Sequence, residues 1–236
     1  MKEEPSANLI STLNESPLHA SLKDWYARPG DQLEVEVEGF IVDIVREGLL
    51  IEIQTRSLSS LKRKLHVLAD DYPIRLVYPV PRDKWIVKLA EDGTSVQSRR
   101  KSPKRGQIED LFRELVSLPK LLAHPNFSLD VLLIQEEEFR RYDGSRAWRR
   151  RGWVTHERRL LKVLERKRFN TPADLAELLP PDLAEPFTTS DLAVAIARPR
   201  RLAQQMAYCL RKIGRIEMVG KQGNAILYRR RESLNH

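Results

Sequence analysis

Two carboxylates lie in otherwise apolar stretches on either side of a short turn. The segment from Phe40 to Arg56 reads FIVDIVREGLLIEIQTR. Its central Glu47-Gly48 predicts a two-residue hairpin loop between strands rich in Ile, Val and Leu. Counting back from that loop places Asp43 opposite Glu52. Directly opposed side chains on one sheet face are about 4.5–5.5 Å apart at their Cβ atoms, where two like charges are destabilising.

A cation between the two carboxylates would remove this repulsion. Hard divalent ions such as Mg²⁺ bind one or two carboxylates together with water and phosphate oxygens. A single Asp or Glu in a strand usually faces solvent. Ile41 and Val45, however, share the predicted face of Asp43, and Leu50 shares that of Glu52. The pattern therefore favours a site for Mg²⁺ or Mn²⁺ formed by Asp43 and Glu52.

An Asp, a Glu nine positions later and a polar side chain two positions further, placed across a hairpin, resemble the core of the PD-(D/E)XK (restriction-endonuclease-like) nuclease superfamily. The resemblance implies that Asp43 and Glu52 bind the catalytic metal and that the backbone carbonyl of Ile53 adds a ligand. It also implies a magnesium-dependent deoxyribonuclease, an enzyme that hydrolyses DNA phosphodiesters.

Gln54 occupies the position in which that superfamily usually has Lys. The resemblance assigns Gln54 to positioning the attacking water, but this departure leaves open which residue does so. Arg56 follows on the same strand face, and Lys62 or Lys64 of the next predicted helix could also reach in. The predicted catalytic residues are Asp43, Glu52, Gln54 and Arg56.

The elements around the hairpin follow the order of the same nuclease core. Hydrophobic periodicity predicts a helix at 17–27, a strand at 33–37, the hairpin, a helix capped by Ser57 with Leu58, Leu61, Leu65 and Leu68 on one side, and a strand at 74–78 closed by Pro79 and Pro81. A strand–helix–strand unit of this kind predicts a right-handed parallel crossover. A second hairpin around Asp92-Gly93, an amphipathic helix at 107–122 and an apolar strand at 129–134 complete the predicted domain.

Composition limits the class of protein. The 236 residues include one cysteine, Cys209, so no disulfide forms within the chain. The first residues, MKEEPSANLISTLNES, do not resemble a signal peptide. No apolar run approaches the roughly 18–20 residues of a membrane span. Neither zinc-ligand spacing nor a phosphate-binding glycine loop occurs. We expect a cytoplasmic, nucleoid-associated protein without a membrane partner.

Positive charge is concentrated in the C-terminal part. Residues 139–236 contain 22 Lys and Arg against 10 Asp and Glu, whereas residues 1–138 contain 19 against 23. Such asymmetry favours a nucleic acid or an anionic membrane as partner. Because no hydrophobic helix suited to a membrane surface is predicted, we favour nucleic acid, here DNA. A homodimer is compatible with the sequence.

Two basic segments precede the C-terminal domain. Residues 98–106 read as a loop with five cations, which either contact phosphates or only aid solubility; these cations are Arg99, Arg100, Lys101, Lys104 and Arg105. Residues 140–151 contain six arginines with Tyr142 and Trp148 among them. This second segment predicts a DNA-facing linker that includes Arg149 and Arg150, or a surface that is simply rich in arginine.

The C-terminal residues predict helices followed by a β-hairpin. The helices are expected at 157–167, from Thr171-Pro172 to Leu179, from Thr188 or Thr189 over Ile196, and from Pro199 to Gly214, and the hairpin turns at 220–224. Helices followed by a hairpin in this way resemble the winged helix-turn-helix domain, which has three helices and a hairpin, over about residues 155–231.

In a winged helix, the outward face of the third helix would enter the major groove of DNA. Arg and Gln there can read base edges, and Lys and Arg can bind phosphates. The predicted DNA-binding residues of this domain are Arg200, Arg201, Gln204, Gln205, Tyr208, Arg211, Lys212, Lys221 and Arg229. Winged helices also serve as protein–protein modules, and that alternative remains.

The sequence therefore predicts an α/β fold class, with an N-terminal restriction-endonuclease-like mixed sheet flanked by helices and a mainly α winged-helix domain. The predicted divisions are a flexible tail at 1–15, a nuclease-like domain at 16–139, a basic linker at 140–153 and a winged helix at 154–231. The predicted function is a metal-dependent DNA endonuclease targeted by the winged helix. The alternative is a non-catalytic DNA-binding transcriptional regulator with an inactive nuclease-like domain.

Overall fold

The structure is a computed structural model that describes residues 15–144 and 151–231. Its helices and strands are, in chain order, α1 (Pro17–Tyr26), β1 (Gln32–Val37), β2 (Phe40–Arg46), β3 (Leu49–Ile53), α2 (Lys62–Asp71), β4 (Ile74–Leu89), β5 (Val96–Lys101), α3 (Phe112–Leu115), β6 (Phe127–Tyr142), β7 (Trp153–Phe169), α4 (Pro172–Ala176), α5 (Thr189–Ala195), α6 (Arg200–Lys212), β8 (Ile216–Gln222) and β9 (Ala225–Arg230). Short 3-10 helices lie at Leu58–Leu61, Ile108–Leu111 and Leu121–Ala123. Residues 1–14 of the predicted tail, and Arg149 and Arg150, lie outside the described residues.

A mixed sheet of seven strands makes this an α/β protein. Its order is β1-β2-β3-β4-β6-β7, and β5 pairs with β4 off that path. Strand β2 is antiparallel to both β1 and β3, whereas β3 and β4 are parallel. The predicted crossover is therefore confirmed as parallel, with α2 lying between the two strands in the chain. The predicted order of helix, three strands, helix and strand is also observed.

The central hairpin has the predicted register. Arg46 pairs with Leu49, and the pairing continues to Ile44 and Ile51. Glu47 and Gly48 both have positive φ, at 48° and 80°. A two-residue turn of this kind requires positive φ at both positions, which Gly adopts at no steric cost. Local turn chemistry therefore sets which residues of β2 and β3 face each other.

Strand β4 continues through the prolines that were expected to end it. Pro79 and Pro81 lie between Val77, the last residue paired with β3, and Trp85, the first paired with β5. Proline cannot donate a ladder hydrogen bond, so it is tolerated where no neighbouring strand needs one.

Three other predictions of local structure were wrong. The helix expected at 107–122 is broken into short turns, because Pro119 lacks the N–H group that a continuous helix needs. The loop expected at 98–106 begins as strand β5, whose Lys101 pairs with Trp85.

The helix expected at 157–167 is instead part of β7, the 17-residue strand that follows β6. Arg166 and Arg168, two residues apart, both bind Asp130 of β6. This period-two contact fits a strand, so charge pairing with β6 overrides the helical spacing of the leucines.

The chain divides into two compact units. Of the described residues, one unit contains 15–29, 81–106, 133–144 and 151–165, and the other contains 30–80, 107–132 and 166–231. These divisions differ from the predicted ones, since the expected linker at 140–153 begins within β6 and ends at the first residue of β7.

Residues 171–231 contain the three other predicted C-terminal helices and the predicted hairpin. Helices α4 and α5 each begin with a capping box, Thr171 with Asp174 and Thr188 with Asp191. Strands β8 and β9 form an antiparallel hairpin, and Phe187 forms a bridge to Tyr228 of β9. The inward residues of α6 are buried, namely Leu202, Ala203, Met206, Ala207, Cys209 and Leu210. Within the described residues, no helix has the length and apolar character needed to cross a bilayer.

Glu138 provides a test of the first unit. Burial raises the pKa of this carboxyl, but the hydrogen bonds from Lys84 and Arg140 outweigh burial and lower the pKa to about 2. Because the folded-state pKa lies below the ordinary value of 4.5, its contribution to stability is present above pH 4.5 and lost as the pH falls toward 2. We expect Lys84→Met to destabilise the fold at pH 7 by on the order of 2 kcal/mol and to move acid unfolding to higher pH.

Denaturant unfolding monitored by circular dichroism from pH 2 to 7 would measure both effects. The exposed Lys104 provides the control variant Lys104→Met, which should unfold like the wild type. If the free energy of unfolding changed equally with pH in Lys84→Met and in the wild type, the role of Lys84 in lowering the pKa of Glu138 would be contradicted.

Candidate functional site

The β2–β3 ladder ends beside the two predicted acids. The last backbone pair is Ile44 with Ile51, and one further step of the same register would set Asp43 opposite Glu52. Beyond this point, the backbone N–H of Ile53 donates to Asp43 Oδ2 at 2.7 Å. In a regular antiparallel ladder that N–H would bind a backbone carbonyl of β2. The half-buried Asp43 carboxylate therefore takes the place of a strand as a hydrogen-bond acceptor.

Glu52 is buried and lies against a cation. Lys64 Nζ donates to Glu52 Oε2 at 2.6 Å, and the two side chains are only 12% and 9% exposed. The same ammonium donates to the backbone carbonyl of Ile41 in β2. A positive charge from the chain thus offsets the repulsion expected between the two acids. Of the two lysines expected to reach in, Lys64 contacts Glu52, and a role for it in orienting water stays a prediction.

Helix α2 positions Lys64 through its buried side. Leu65 and Leu68 are buried, and Lys64 is four residues from Leu68, so the lysine borders the apolar stripe of the helix. Ahead of α2, Ser57 caps the 3-10 helix, and the N–H of Leu58 donates to Glu114 Oε2 at 3.0 Å. These contacts fix where α2 begins and therefore how far Lys64 can reach.

Gln54 binds the loop that follows β3. Its side-chain amide donates to Ser60 Oγ at 3.1 Å, and its oxygen accepts from the N–H of Arg56 at 3.0 Å. The Arg56 side chain is exposed, whereas Ile53 is buried. The structure thus pairs Glu52 with Lys64, binds Asp43 to the amide of the adjoining Ile53, and gives Gln54 contacts that shape a loop. The predicted catalytic roles of Gln54 and Arg56, and of the Ile53 carbonyl as a metal ligand, stay predictions.

The donor set fits a hard cation that keeps most of its water. Two carboxylates from adjacent strands are the oxygen ligands that Mg²⁺ prefers, with water and phosphate completing its shell. No cluster of three or more His, Cys, Asp or Glu side chains suited to a metal occurs among residues 15–144 and 151–231. A metal at Asp43 and Glu52 would therefore depend on water and substrate for its remaining ligands.

The predicted DNA-binding residues of α6 lie on its outer side. Arg200, Arg201, Gln204, Tyr208, Arg211 and Lys212 are exposed and Gln205 is half-buried. Lys212 Nζ lies 5.9 Å from the centre of the Tyr208 ring. Lys221 is exposed in the β8–β9 hairpin, whereas Arg229 binds Glu217 at 2.6 Å.

The predicted basic segment at 98–106 and its ion-pair partners belong to one and the same unit, the one that contains β5. Arg99 binds Glu137 at 2.6 Å, and Lys101 and Arg105 lie 2.9 and 3.5 Å from Asp83. Arg100 and Lys104 are exposed. Sequence reasoning did not single out Asp83 or its neighbour Trp85, because a lone acid and aromatic in an apolar strand carry no spacing signal.

Comparison with known proteins identifies a family. A family model described as Domain of unknown function (DUF8091) matches residues 16–170, which end just before α4. An uncharacterized protein of Treponema pallidum (strain Nichols) is 35% identical over 225 residues, which cover 94% of this chain and 87% of that protein. No solved structure matches the chain.

The pairing of Glu52 with Lys64 can be measured in a double-mutant cycle. Removing one partner leaves a mostly buried charge, so Glu52→Gln and Lys64→Met should each destabilise the protein. Because the double variant leaves no unpaired charge, we expect a coupling energy of roughly 1–3 kcal/mol from denaturant unfolding. Lys62, exposed on the same helix, is the matched control, and Lys62→Met should show negligible coupling to Glu52→Gln. Additive effects of Glu52→Gln and Lys64→Met would contradict the contact.

Proposed function

We propose that this chain, which belongs to the DUF8091 family, is a metal-dependent nuclease that hydrolyses DNA phosphodiesters. The observation that carries the proposal is the arrangement at the end of the β2–β3 ladder. Lys64 Nζ lies 2.6 Å from Glu52 Oε2, and Asp43 is bound to the amide of the next residue, Ile53. Asp43 of β2 thus contacts the residue next to Glu52 of β3, and Glu52 is paired with Lys64 of α2.

Each of the three side chains has a separate role in this mechanism. Asp43 and Glu52 would hold Mg²⁺ or Mn²⁺, which would supply Lewis acidity at the scissile phosphate. The Lys64 ammonium would orient the attacking water or bind the phosphate oxygens on which negative charge develops. This assigns to Lys64 the task that the sequence resemblance gave to Gln54. Gln54 instead shapes the 54–60 loop through Ser60 and the N–H of Arg56.

Residues 171–231 would deliver this site to duplex DNA as a winged helix. The sequence of α4, α5, α6 and the β8–β9 hairpin, with the Phe187–Tyr228 bridge, supports that interpretation. Arg201 and Gln204 on the outer side of α6 are suited to base edges in the major groove. Lys212 and Lys221 are suited to phosphates, which position a protein without specifying sequence.

A second candidate is a DNA-binding regulator that does not cleave. The observation that favours it is that Lys64 already offsets the charge of Glu52, so the hairpin needs no metal for its stability. The exposed cations of α6 would serve a regulator equally well. The two candidates differ in whether the wild-type chain breaks DNA strands.

Cleavage assays test the catalytic proposal. Supercoiled plasmid, linear duplex, single-stranded and branched DNA would be incubated with Mg²⁺ or Mn²⁺. We expect Asp43→Asn, Glu52→Gln and Lys64→Met each to lower the cleavage rate at least about 100-fold, the loss typical when a charge-stabilising catalytic group is removed. Asn at position 43 keeps an oxygen for the Ile53 N–H, so the variant removes mainly the charge.

The matched control is Lys62→Met, which should retain cleavage within about threefold because Lys62 is exposed on the same helix. An inactive wild type on every substrate would favour the regulator. Cleavage that survives all three site variants would place the chemistry elsewhere.

Duplex binding by α6 is a separate prediction. After selection of a preferred duplex from a random pool, Arg201→Ala should weaken its binding by about 5–150-fold and relax the base preference. Lys221→Ala should weaken all duplexes to a similar, smaller extent and reduce the salt slope by about one. Lys120→Ala, another exposed lysine, is the control. Titrations in EDTA would measure these affinities, and equal effects of Arg201→Ala and Lys120→Ala would contradict the assignment.

A further inference from the structure

One sheet face in the unit that contains β5 combines an aromatic ring with two cations. The Trp85 ring lies 5.3 Å from the Arg99 guanidinium and 5.1 Å from the Lys101 ammonium. The β4–β5 register pairs Trp85 with Lys101 and Val87 with Arg99, so these side chains share a face. We call the group Trp85, Arg99, Lys101 and Arg105 the Trp85 face.

The carboxylates of this face lie beneath its cations. Asp83 Oδ1 lies 2.9 Å from Lys101 Nζ and 3.5 Å from Arg105 Nε, and its other oxygen accepts from Gln135. The hydrogen bond from Lys101 holds the pKa of Asp83 below its ordinary value. The Asp83 side chain is 6% exposed, whereas those of Lys101 and Arg105 are 52% and 64% exposed. Solvent therefore meets the positive groups and not the acid.

The arrangement repeats on the neighbouring strand β6. Glu137, 17% exposed, binds Arg99 of β5, whose side chain is 48% exposed. Phe139 lies two residues further along, on the face of Glu137. The Arg159 guanidinium lies 4.2 Å from the centre of the Phe139 ring. Each of the two aromatic rings on this face therefore lies close to a cation.

The charge of the segment favours a polyanion as partner. Residues 81–106 contain eight Lys and Arg against three Asp and Glu. Strand β5 pairs with β4 alone within the described chain, and all six of its residues are exposed. Cations on an edge strand also hinder pairing with other chains. That role accounts for Arg100 equally well, but it does not require a tryptophan close to both Arg99 and Lys101.

Cations that follow a backbone, together with an aromatic ring on which a base can stack, are the features that bind single-stranded nucleic acid. In a duplex the bases are stacked on each other, so no base face is available to stack on the Trp85 ring. We propose that the Trp85 face binds single-stranded nucleic acid, with Arg99, Lys101 and Arg105 on phosphates and a base stacked at Trp85. This site is separate from α6 and does not depend on the proposed cleavage.

Fluorescence anisotropy of labelled oligonucleotides, with the full chain in EDTA so that no strand is cut, tests the proposal. The probes would be oligo-dT and oligo-rU of about 20 nucleotides, and a DNA hairpin duplex of equal charge. Wild-type protein should bind at least one single strand more tightly than Arg99→Gln/Lys101→Gln does. Each phosphate contact on a single strand contributes a salt slope of about 0.7, which is about fivefold at 0.1 M salt. We therefore expect a loss of about 25-fold and a slope lower by about 1.4.

The matched control is Arg100→Gln/Lys104→Gln, which removes the same charge from the same segment. Arg100 pairs with Ile86 and so lies on the opposite face. This variant should lose less than about fivefold. Trp85→Leu should lose about tenfold or more, and Trp85→Phe should stay within about threefold, because a phenyl ring still stacks. Thermal unfolding would check that each variant folds.

The outcomes separate this proposal from the function proposed above. Arg201→Ala should leave single-strand binding unchanged, so failure of the α6 assignment would not affect this result. Equal losses in the two charge variants would overturn the proposal, as would a loss of duplex affinity in Arg99→Gln/Lys101→Gln as large as its loss of single-strand affinity. An unchanged affinity in a folded Trp85→Leu would also overturn it. If Trp85→Leu does not fold, the charge variants and Trp85→Phe decide the question.

Discussion

The hydrogen bond from the Ile53 N–H to the Asp43 carboxylate is the interaction on which the candidate site depends. It ends the β2–β3 ladder with a side chain, so β3 keeps its backbone satisfied without a continuing partner strand. Lys64 then binds both Glu52 and the Ile41 carbonyl, which links α2 to both strands of the hairpin. The charged groups proposed for catalysis are therefore also part of what holds this region together. Substitutions here act on stability and chemistry at once, and for that reason charge-only changes such as Asp43→Asn are more informative than truncations.

The site and the hairpin could be anticipated from sequence to different degrees. Glu47-Gly48 specifies a turn with two positive φ values, so the register of β2 and β3 follows from local chemistry alone. The position of Lys64 depends on where α2 begins, which contacts such as that between Leu58 and Glu114 help to fix. Periodicity could therefore offer Lys64 only as one of two candidates. The contacts of Gln54 with Ser60 and Arg56 arise from loop geometry, which strand alternation does not encode.

Strand β7 could not be predicted because its conformation is set by another strand. Its leucines have helical spacing, and the acids with which its arginines pair lie on β6, so the local sequence does not show them. In the structure, Arg158 binds Glu136, and Arg166 and Arg168 bind Asp130. Asp130 and Glu136 are fully buried, and a buried carboxylate without a partner would cost several kcal/mol. Tertiary charge pairing thus decides between helix and strand where local propensity does not.

The buried acids of β6 also constrain how this family can change. An apolar contact tolerates many replacements of similar volume, but a carboxylate shared by two arginines does not. A relative that loses Asp130 would keep two like charges, Arg166 and Arg168, at one place without the group that holds them there. Positions 130, 166 and 168 should therefore vary together, and position 136 with 158. The sequence of β7 should then change slowly among relatives even though much of the strand is exposed, because its arginines pair with buried carboxylates.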